Sequence, residues 1–311
     1  MTTDTSSLYV EYKPLLSSIA YRMLGSLTDA EDIVQDIFAE LETMQTDHIL
    51  NMKAYLLKMV TNRSINVLKS ARKTREVYTG PWLPEPETAD AGQTPETAAI
   101  QAESVSYALL VLLEQLSPVE RAVFILRETL DYDYRDIAEL LDKSDTNCRK
   151  LYSRAKQKVS TAPVPGREER AAAEPPIAVP VESTRVTSDQ AKHAELLSRA
   201  FMAAANSGDF REFVGMLADD ARLYTDGGGK VRSAIFPIIG SNRILAFLQG
   251  IAPGNIKPEN QLLIDVNGQP GLRLNRGDEL FAVLSFQFDS DSRPVRMFMV
   301  TNPDKLQHVT P

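Results

Sequence analysis

The chain has 311 residues, 43% of them hydrophobic, and one cysteine, which excludes a single small domain, a wholly disordered chain and an intramolecular disulfide. Its net charge of −8 argues, taken alone, against nucleic acid. That total hides a segregation: seven bases and no acid from Lys53 to Arg75, six acids and no base from Thr28 to Thr43, and six bases with one acid from Lys143 to Lys158.

Attraction to phosphate is screened beyond about 10 Å at moderate salt, so such a chain can meet DNA with one face and a protein with another. The lone Cys148 fits a reducing, cytoplasmic setting. No run is as long as a membrane span, and Met1–Ser7 lacks the order of a signal peptide, so no membrane contact is expected.

Residues 8–76 read as a helical unit. Leu15, Leu16, Ile19, Met23 and Leu24 recur at helical spacing, as do Ile33, Val34, Ile37, Phe38 and Leu41, and then Tyr55, Leu56, Met59 and Val60. Thr28 followed by Glu31 has the spacing of a capping box and predicts the second helix start. Residues 77–104 read as a linker, broken by Gly80, Pro81, Pro84, Pro86, Gly92 and Pro95 and acidic from Glu85 to Glu103.

A second helical unit is expected at 105–160. Ser117-Pro118-Val119-Glu120 supplies a serine cap, proline at the first helical position and glutamate at the third. Helices are predicted over 118–130, 134–141 and 145–159, with a turn at Asp142–Ser144. The last helix buries Cys148, Leu151, Tyr152 and Ala155 and turns out Asn147, Arg149, Lys150, Ser153, Arg154 and Lys156. Three helices, a short turn and a basic outer face form a helix-turn-helix, in which arginine and asparagine read base edges and lysine and serine hold phosphates. A helical hairpin with a solvated charged face is the plainer alternative. Asp142 stands where such turns often carry glycine, and aspartate tolerates the left-handed backbone.

Residues 161–187 read as a second linker, with five prolines. Beyond it, helices are predicted over 189–206, 209–217 and 241–249. Strands are predicted at Arg222–Tyr224, Val231–Phe236, Gln261–Val266, Gly271–Leu274, Leu280–Asp289 and Val295–Val300. Residues 188–311 are therefore an α+β domain, helices on a curved antiparallel sheet.

Tyr12-Lys13-Pro14-Leu15-Leu16, Tyr21-Arg22-Met23-Leu24-Gly25, Asp29-Ala30-Glu31-Asp32-Ile33-Val34-Gln35-Asp36, Ala54-Tyr55-Leu56 and Val60-Thr61-Asn62-Arg63 resemble region two of extracytoplasmic-function sigma factors. The helix-turn-helix resembles region four. Trp82-Leu83-Pro84-Glu85-Pro86, Asp226-Gly227-Gly228-Gly229-Lys230 and Asn302-Pro303-Asp304-Lys305-Leu306 look like the signature segments of that family's group forty-one, whose members carry a SnoaL-like extension of the NTF2 type. The implied architecture is two all-α sigma domains followed by an α+β NTF2-like cone.

The resemblance implies that core RNA polymerase, through its β′ and β subunits, and promoter DNA are the partners. Asp29, Asp32, Gln35, Asp36 and Glu40 would dock on the polymerase clamp. Lys53, Lys58, Asn62, Arg63, Asn66, Lys69 and Arg72 would hold the opened minus-ten strand, with His48 and Asn51 in the preceding loop near a flipped base. Asn147, Arg149, Lys150, Ser153, Arg154 and Lys156 would read the minus-thirty-five element. Trp82, Pro84, Asp226, Lys230, Asn302, Asp304 and Lys305 would form regulatory contacts between the C-terminal domain and the sigma part. The acidic linker would mimic RNA in a basic channel.

No cofactor, metal or catalytic residue is expected. Asp226 is read in a glycine-rich turn rather than an apolar pocket, His193 and His308 lie off the inner strands, and glycines 227–229 read as a tight hairpin rather than a phosphate loop. Two rival functions are a one-component helix-turn-helix regulator with a ligand-binding pocket, and an NTF2-fold enzyme fused to a DNA-binding module, dependent on Asp226 or Tyr224.

Overall fold

A computed structural model describes residues 5–46, 48–88, 105–161, 188–255, 261–289 and 291–309, without the side chains of 72–76, 161 and 253–255. Much of both predicted linkers, 89–104 and 162–187, falls outside these residues. The described residues divide into two units: 5–77 and 112–161 in the first; 78–88, 105–111 and 188–309 in the second. Segment 78–88 and the start of the second predicted helical unit thus belong with the C-terminal domain.

In the first unit, α1 (Thr5–Leu24) ends because Gly25 takes φ +66 and returns its N–H to the Tyr21 carbonyl at 2.7 Å. Helix α2 (Leu27–Thr43) then starts at once, capped by Ser26, whose hydroxyl accepts from the Asp29 N–H at 3.1 Å. This corrects the expected Thr28 cap: a cap residue needs extended backbone, which Ser26 has and Thr28, already helical, lacks. The apolar stripe of α2 is buried as expected: Ile33, Val34, Ile37, Phe38 and Leu41. On α3 (Met52–Glu76), Leu56, Leu57 and Val60 are fully buried, whereas Tyr55 and Met59 are half-buried.

Helix α4 (Tyr107–Leu113) leads to α5 (Pro118–Glu128), where both halves of the Ser117–Glu120 capping box form. Glu120 also pairs with Lys158 at 2.7 Å. Burial pushes its carboxyl up, but the bonds from Lys158 and Ser117 outweigh that and leave it below the usual range. Helix α6 (Tyr134–Leu140) and helix α7 (Asp145–Thr161) complete the helix-turn-helix. Between them Asp142 takes φ +51, the left-handed conformation expected of it. Arg121, almost fully buried, donates to the Met23 carbonyl and to Glu114, each at 2.7 Å, and so ties α5 to α1.

In the second unit, α8 (Ser188–Ser207), α9 (Arg211–Gly215) and α10 (Ser241–Asn255) pack on one face of a six-stranded sheet. The strands are β1 (Arg222–Asp226), β2 (Ile238–Ile239), β3 (Gln261–Val266), β4 (Gln269–Arg276), β5 (Glu279–Phe288) and β6 (Pro294–Val300), in the order β2-β1-β6-β5-β4-β3. Phe201, Phe210 and Phe213 meet Leu223, Leu284, Met297 and Met299 in its core. The α+β architecture is as expected, with two corrections. The sheet is mixed: β1 and β6 pair in parallel, because they are distant in the chain and no hairpin dictates their sense. Residues 231–236 form no strand, so glycines 227–229 do not close a tight hairpin. They turn the chain into a wider connection that reaches the short β2.

Candidate functional site

All five residues expected to face polymerase on α2, Asp29, Asp32, Gln35, Asp36 and Glu40, are exposed. They do not act as one free face. Arg63 of α3 pairs with Glu40 and stands 3.9 Å from Asp36. A residue assigned to DNA thus engages two assigned to polymerase, while Asp29, Asp32 and Gln35 lie on the part of the helix that Arg63 does not reach.

Among the residues expected along the minus-ten strand, Lys53, Asn66 and Lys69 are exposed, while Asn62 and Arg63 are half-buried. Lys58 forms an ion pair with Asp142 at 2.8 Å. Arg72 lies on α3, but its side chain is outside the described residues. Asn51 caps α3 by accepting from the Ala54 N–H at 3.0 Å. That role was missed because the helix start there carries no capping box. Asn147, Arg149, Lys150, Ser153, Arg154 and Lys156 are all exposed on α7. The guanidinium of Arg149 lies 4.4 Å from the Tyr134 ring centroid and bonds Asp145 at 2.6 Å, so it is held in place. Cys148, beneath them, is buried, which raises its thiol pKa.

A dense polar site lies in the second unit, where three predicted segments converge on Asp226. This residue ends β1 and is 1% exposed, which corrects its expected place in an open turn. Its carboxylate accepts from the Tyr78 hydroxyl at 2.7 Å, the Leu83 N–H at 2.9 Å, the Gly228 N–H at 3.0 Å and the Lys305 ammonium at 2.7 Å. Lys305 also donates to the Leu83 carbonyl and lies 3.9 Å from the Trp82 ring centroid and 5.0 Å from that of Tyr78. Asn302 donates to the Tyr78 hydroxyl at 2.9 Å. Burial, then the Asp226 charge, pushes the Tyr78 hydroxyl far above its ordinary pKa of 10.0.

Glycine has a steric reason here. A Cβ on Gly227 would stand 2.3 Å from the Val231 carbonyl, and one on Gly228, whose φ is +62, would stand 2.3 Å from the Asn302 amide. Lys230 and Asp304 pair at 2.6 Å, both half-exposed. Pro84 is buried, and its carbonyl accepts from the Tyr107 hydroxyl at 2.7 Å. Tyr107 packs on Phe298 of β6, which in turn stacks on Tyr224. Further along, the backbone of Glu87 bonds Asn267, and Thr88 bridges Val266.

So all seven residues expected in regulatory contacts, Trp82, Pro84, Asp226, Lys230, Asn302, Asp304 and Lys305, lie in one neighbourhood. Tyr78 was missed: it precedes the proline-rich motif, and nothing local marks it. Of the acidic linker, only Glu85 and Glu87 lie among the described residues. Glu85 is buried, Glu87 is half-buried, and Asp90 is outside the described residues.

Among the described residues no helix is long and apolar enough to cross a membrane. Residues 8–74 match the model of Sigma-70 region 2, and residues 106–159 that of Sigma-70, region 4. The ECF RNA polymerase sigma factor SigJ of Mycobacterium tuberculosis is 33% identical over 262 residues, covering 82% of this chain and 76% of the relative. A probable ECF RNA polymerase sigma factor, SigI, of the same organism is 28% identical over 206 residues, covering 66% of this chain and 63% of the relative. The crystal structure of M. tuberculosis SigJ superposes with a TM-score of 0.71 at 26% identity, covering 97% of this chain and 98% of that one.

Proposed function

Because the chain belongs to the extracytoplasmic-function RNA polymerase sigma factor family, we propose that it brings core RNA polymerase to promoters through three separable surfaces, and that its C-terminal domain controls the connection between two of them. The outward acids of α2, Asp29 and Asp32, with Gln35, meet a basic helix pair on the β′ subunit. Helix α3 tracks the opened minus-ten strand with Lys53, Lys58, Arg63, Lys69 and Arg72, and offers Asn62 and Asn66 to base edges. Helix α7 enters the major groove at the minus-thirty-five element. There Asn147, Arg149 and Arg154 read bases, and Lys150, Ser153 and Lys156 hold phosphates.

The observation that carries the regulatory part is the burial of Asp226 and Lys305 around segment 78–83. A carboxylate and an ammonium are stable away from water only when paired and fully hydrogen-bonded. Their bonds to Leu83 and Tyr78 make the linker part of that pairing. The C-terminal domain therefore grips the connection between the two DNA readers. With all four donors in place, Asp226 has no lone pair suited to a general base, and it serves as an anchor.

Run-off transcription with purified core polymerase tests this reading. The chain yields a promoter-specific transcript, and Lys305→Met, which frees the linker, changes its amount. No promoter-specific transcript from either protein would refute the sigma reading. Equal output from both would refute control by the grip.

A further inference from the structure

Within the first unit, helix α6 of the helix-turn-helix faces the surface read above as strand-binding. In such motifs the first helix crosses the DNA backbone, where a positive or neutral surface is favoured. Here α6 and the turn after it carry Asp136, Glu139 and Asp142. Asp136 and Glu139 line one side of a cavity of about 560 Å3, together with Tyr132 and Leu140. Its other side is formed by His48–Asn51, Lys53 and Lys58. Asp142 closes on Lys58 at 2.8 Å. Three carboxylates thus stand opposite the loop and the two lysines at the start of the minus-ten track.

We propose that α6 is an internal stand-in for the minus-ten strand: its carboxylates occupy the place of phosphates against Lys53 and Lys58, and must leave before single-stranded DNA enters. This rests on the reading of α3 as the strand-binding helix. The chemistry suits a reversible cover. Lys58 and Asp142 have side chains 40% and 74% exposed, so their pair is weak and salt-sensitive and DNA can displace it. The open cavity between the walls admits water and ions to the competition. Promoter DNA offers a row of phosphates where α6 offers three carboxylates.

The test compares the full chain with the triple variant Asp136→Asn, Glu139→Gln, Asp142→Asn, measuring affinity for fluorescein-labelled single-stranded DNA of mixed sequence without polymerase. Asparagine at 142 keeps the left-handed backbone, so the turn survives. A control triple, Asp189→Asn, Glu212→Gln, Asp278→Asn, removes the same charge from exposed positions of the C-terminal domain. The α6 triple should bind about fivefold or more tighter at low salt, with the gain shrinking as salt rises, and the control should not. Carbodiimide coupling of Lys58 to Asp142 in the unmodified chain should fall when the DNA is added. If the α6 triple gains no more than the control, or coupling persists under saturating DNA, the proposal is overturned. If that happens while Lys69→Ala still weakens binding, the strand-binding reading stands. If Lys53→Ala and Lys69→Ala leave binding unchanged, that reading falls and takes the proposal with it.

Discussion

Replacing Lys305 by methionine keeps the aliphatic stem and removes the ammonium, so it isolates the charge at the centre of the linker grip. The ammonium meets the Asp226 carboxylate at 2.7 Å, the Leu83 carbonyl and the Trp82 ring at 3.9 Å. Side-chain exposures of 7% for Lys305 and 0% for Asp226 leave no water to replace it. Removing one partner of such a pair costs about 3–5 kcal/mol, because the carboxylate stays buried and uncompensated. The least costly escape is for segment 78–83 to lift away and let water reach Asp226, so the docking equilibrium constant should fall by roughly two to four orders of magnitude. Trp82 is the only tryptophan of the chain, so its fluorescence reports this segment alone. Lys305→Met should shift its emission to the red and move its transition to lower urea. Lys230→Met breaks only the half-exposed pair with Asp304 and should cost under about 1 kcal/mol. Unchanged emission in Lys305→Met, or a urea transition no lower than that of Lys230→Met, would refute the reasoning.

Alkaline pH should weaken the same grip. The Tyr78 hydroxyl is held above its ordinary pKa of 10.0, so docking is insensitive to its titration below pH 10. Above that the released segment ionises first, and docking is lost with increasing pH by one proton's worth of linkage. A Trp82 emission curve from neutral to strongly alkaline pH should be less steep in Tyr78→Phe, and coincident curves would count against the assignment. Gly228→Ala places a Cβ 2.3 Å from the Asn302 amide on left-handed backbone, so it should destabilise the second unit by roughly 1–3 kcal/mol in thermal melts. On α7, Lys156→Ala should weaken promoter binding uniformly across sequences and reduce the salt slope by about one. Arg154→Ala should cost about 1–3 kcal/mol and relax preference at one base pair, both read by fluorescence anisotropy.

What could be read from the residues was what local periodicity and motif order encode. The buried stripe of α2, the Ser117–Glu120 box and the outer face of α7 each follow from neighbours within a few positions, and they appear where expected. The start of α2 was misplaced because two residues had capping chemistry. The choice between Ser26 and Thr28 was made by Gly25, whose left-handed backbone ends α1 one residue earlier. The parallel pairing of β1 with β6 and the burial of Asp226 have no local signature. The bond from Tyr78 to Asp226 spans 148 positions, and that from Asn302 to Tyr78 spans 224. The signature segments marked these residues as contacts of the C-terminal domain, but not that they converge on one buried carboxylate or that Tyr78 joins them. The pairing of Arg63 with Glu40, and of Lys58 with Asp142, has no local signature either. Charge segregation along a chain shows which surfaces are charged, but not that they close on each other.

The C-terminal domain holds the connection between the helical parts at both flanks. Leu83 and Thr88 are fixed to Asp226 and Val266 on one side, and Tyr107 to Phe298 on the other. A chain segment reaches at most roughly 3.3–3.6 Å per residue. Each residue freed from 78–88 therefore lengthens the tether between α3 and α5, and each residue held shortens it. A factor that reads two promoter elements at a set spacing is sensitive to that length. Substitutions around Asp226 should accordingly act on promoter choice and open-complex yield more than on affinity for either element alone. Transcription from paired promoters that differ only in the spacing between elements measures this. Lys305→Met should broaden the tolerated spacing, and an unchanged spacing optimum would show that the grip serves stability alone.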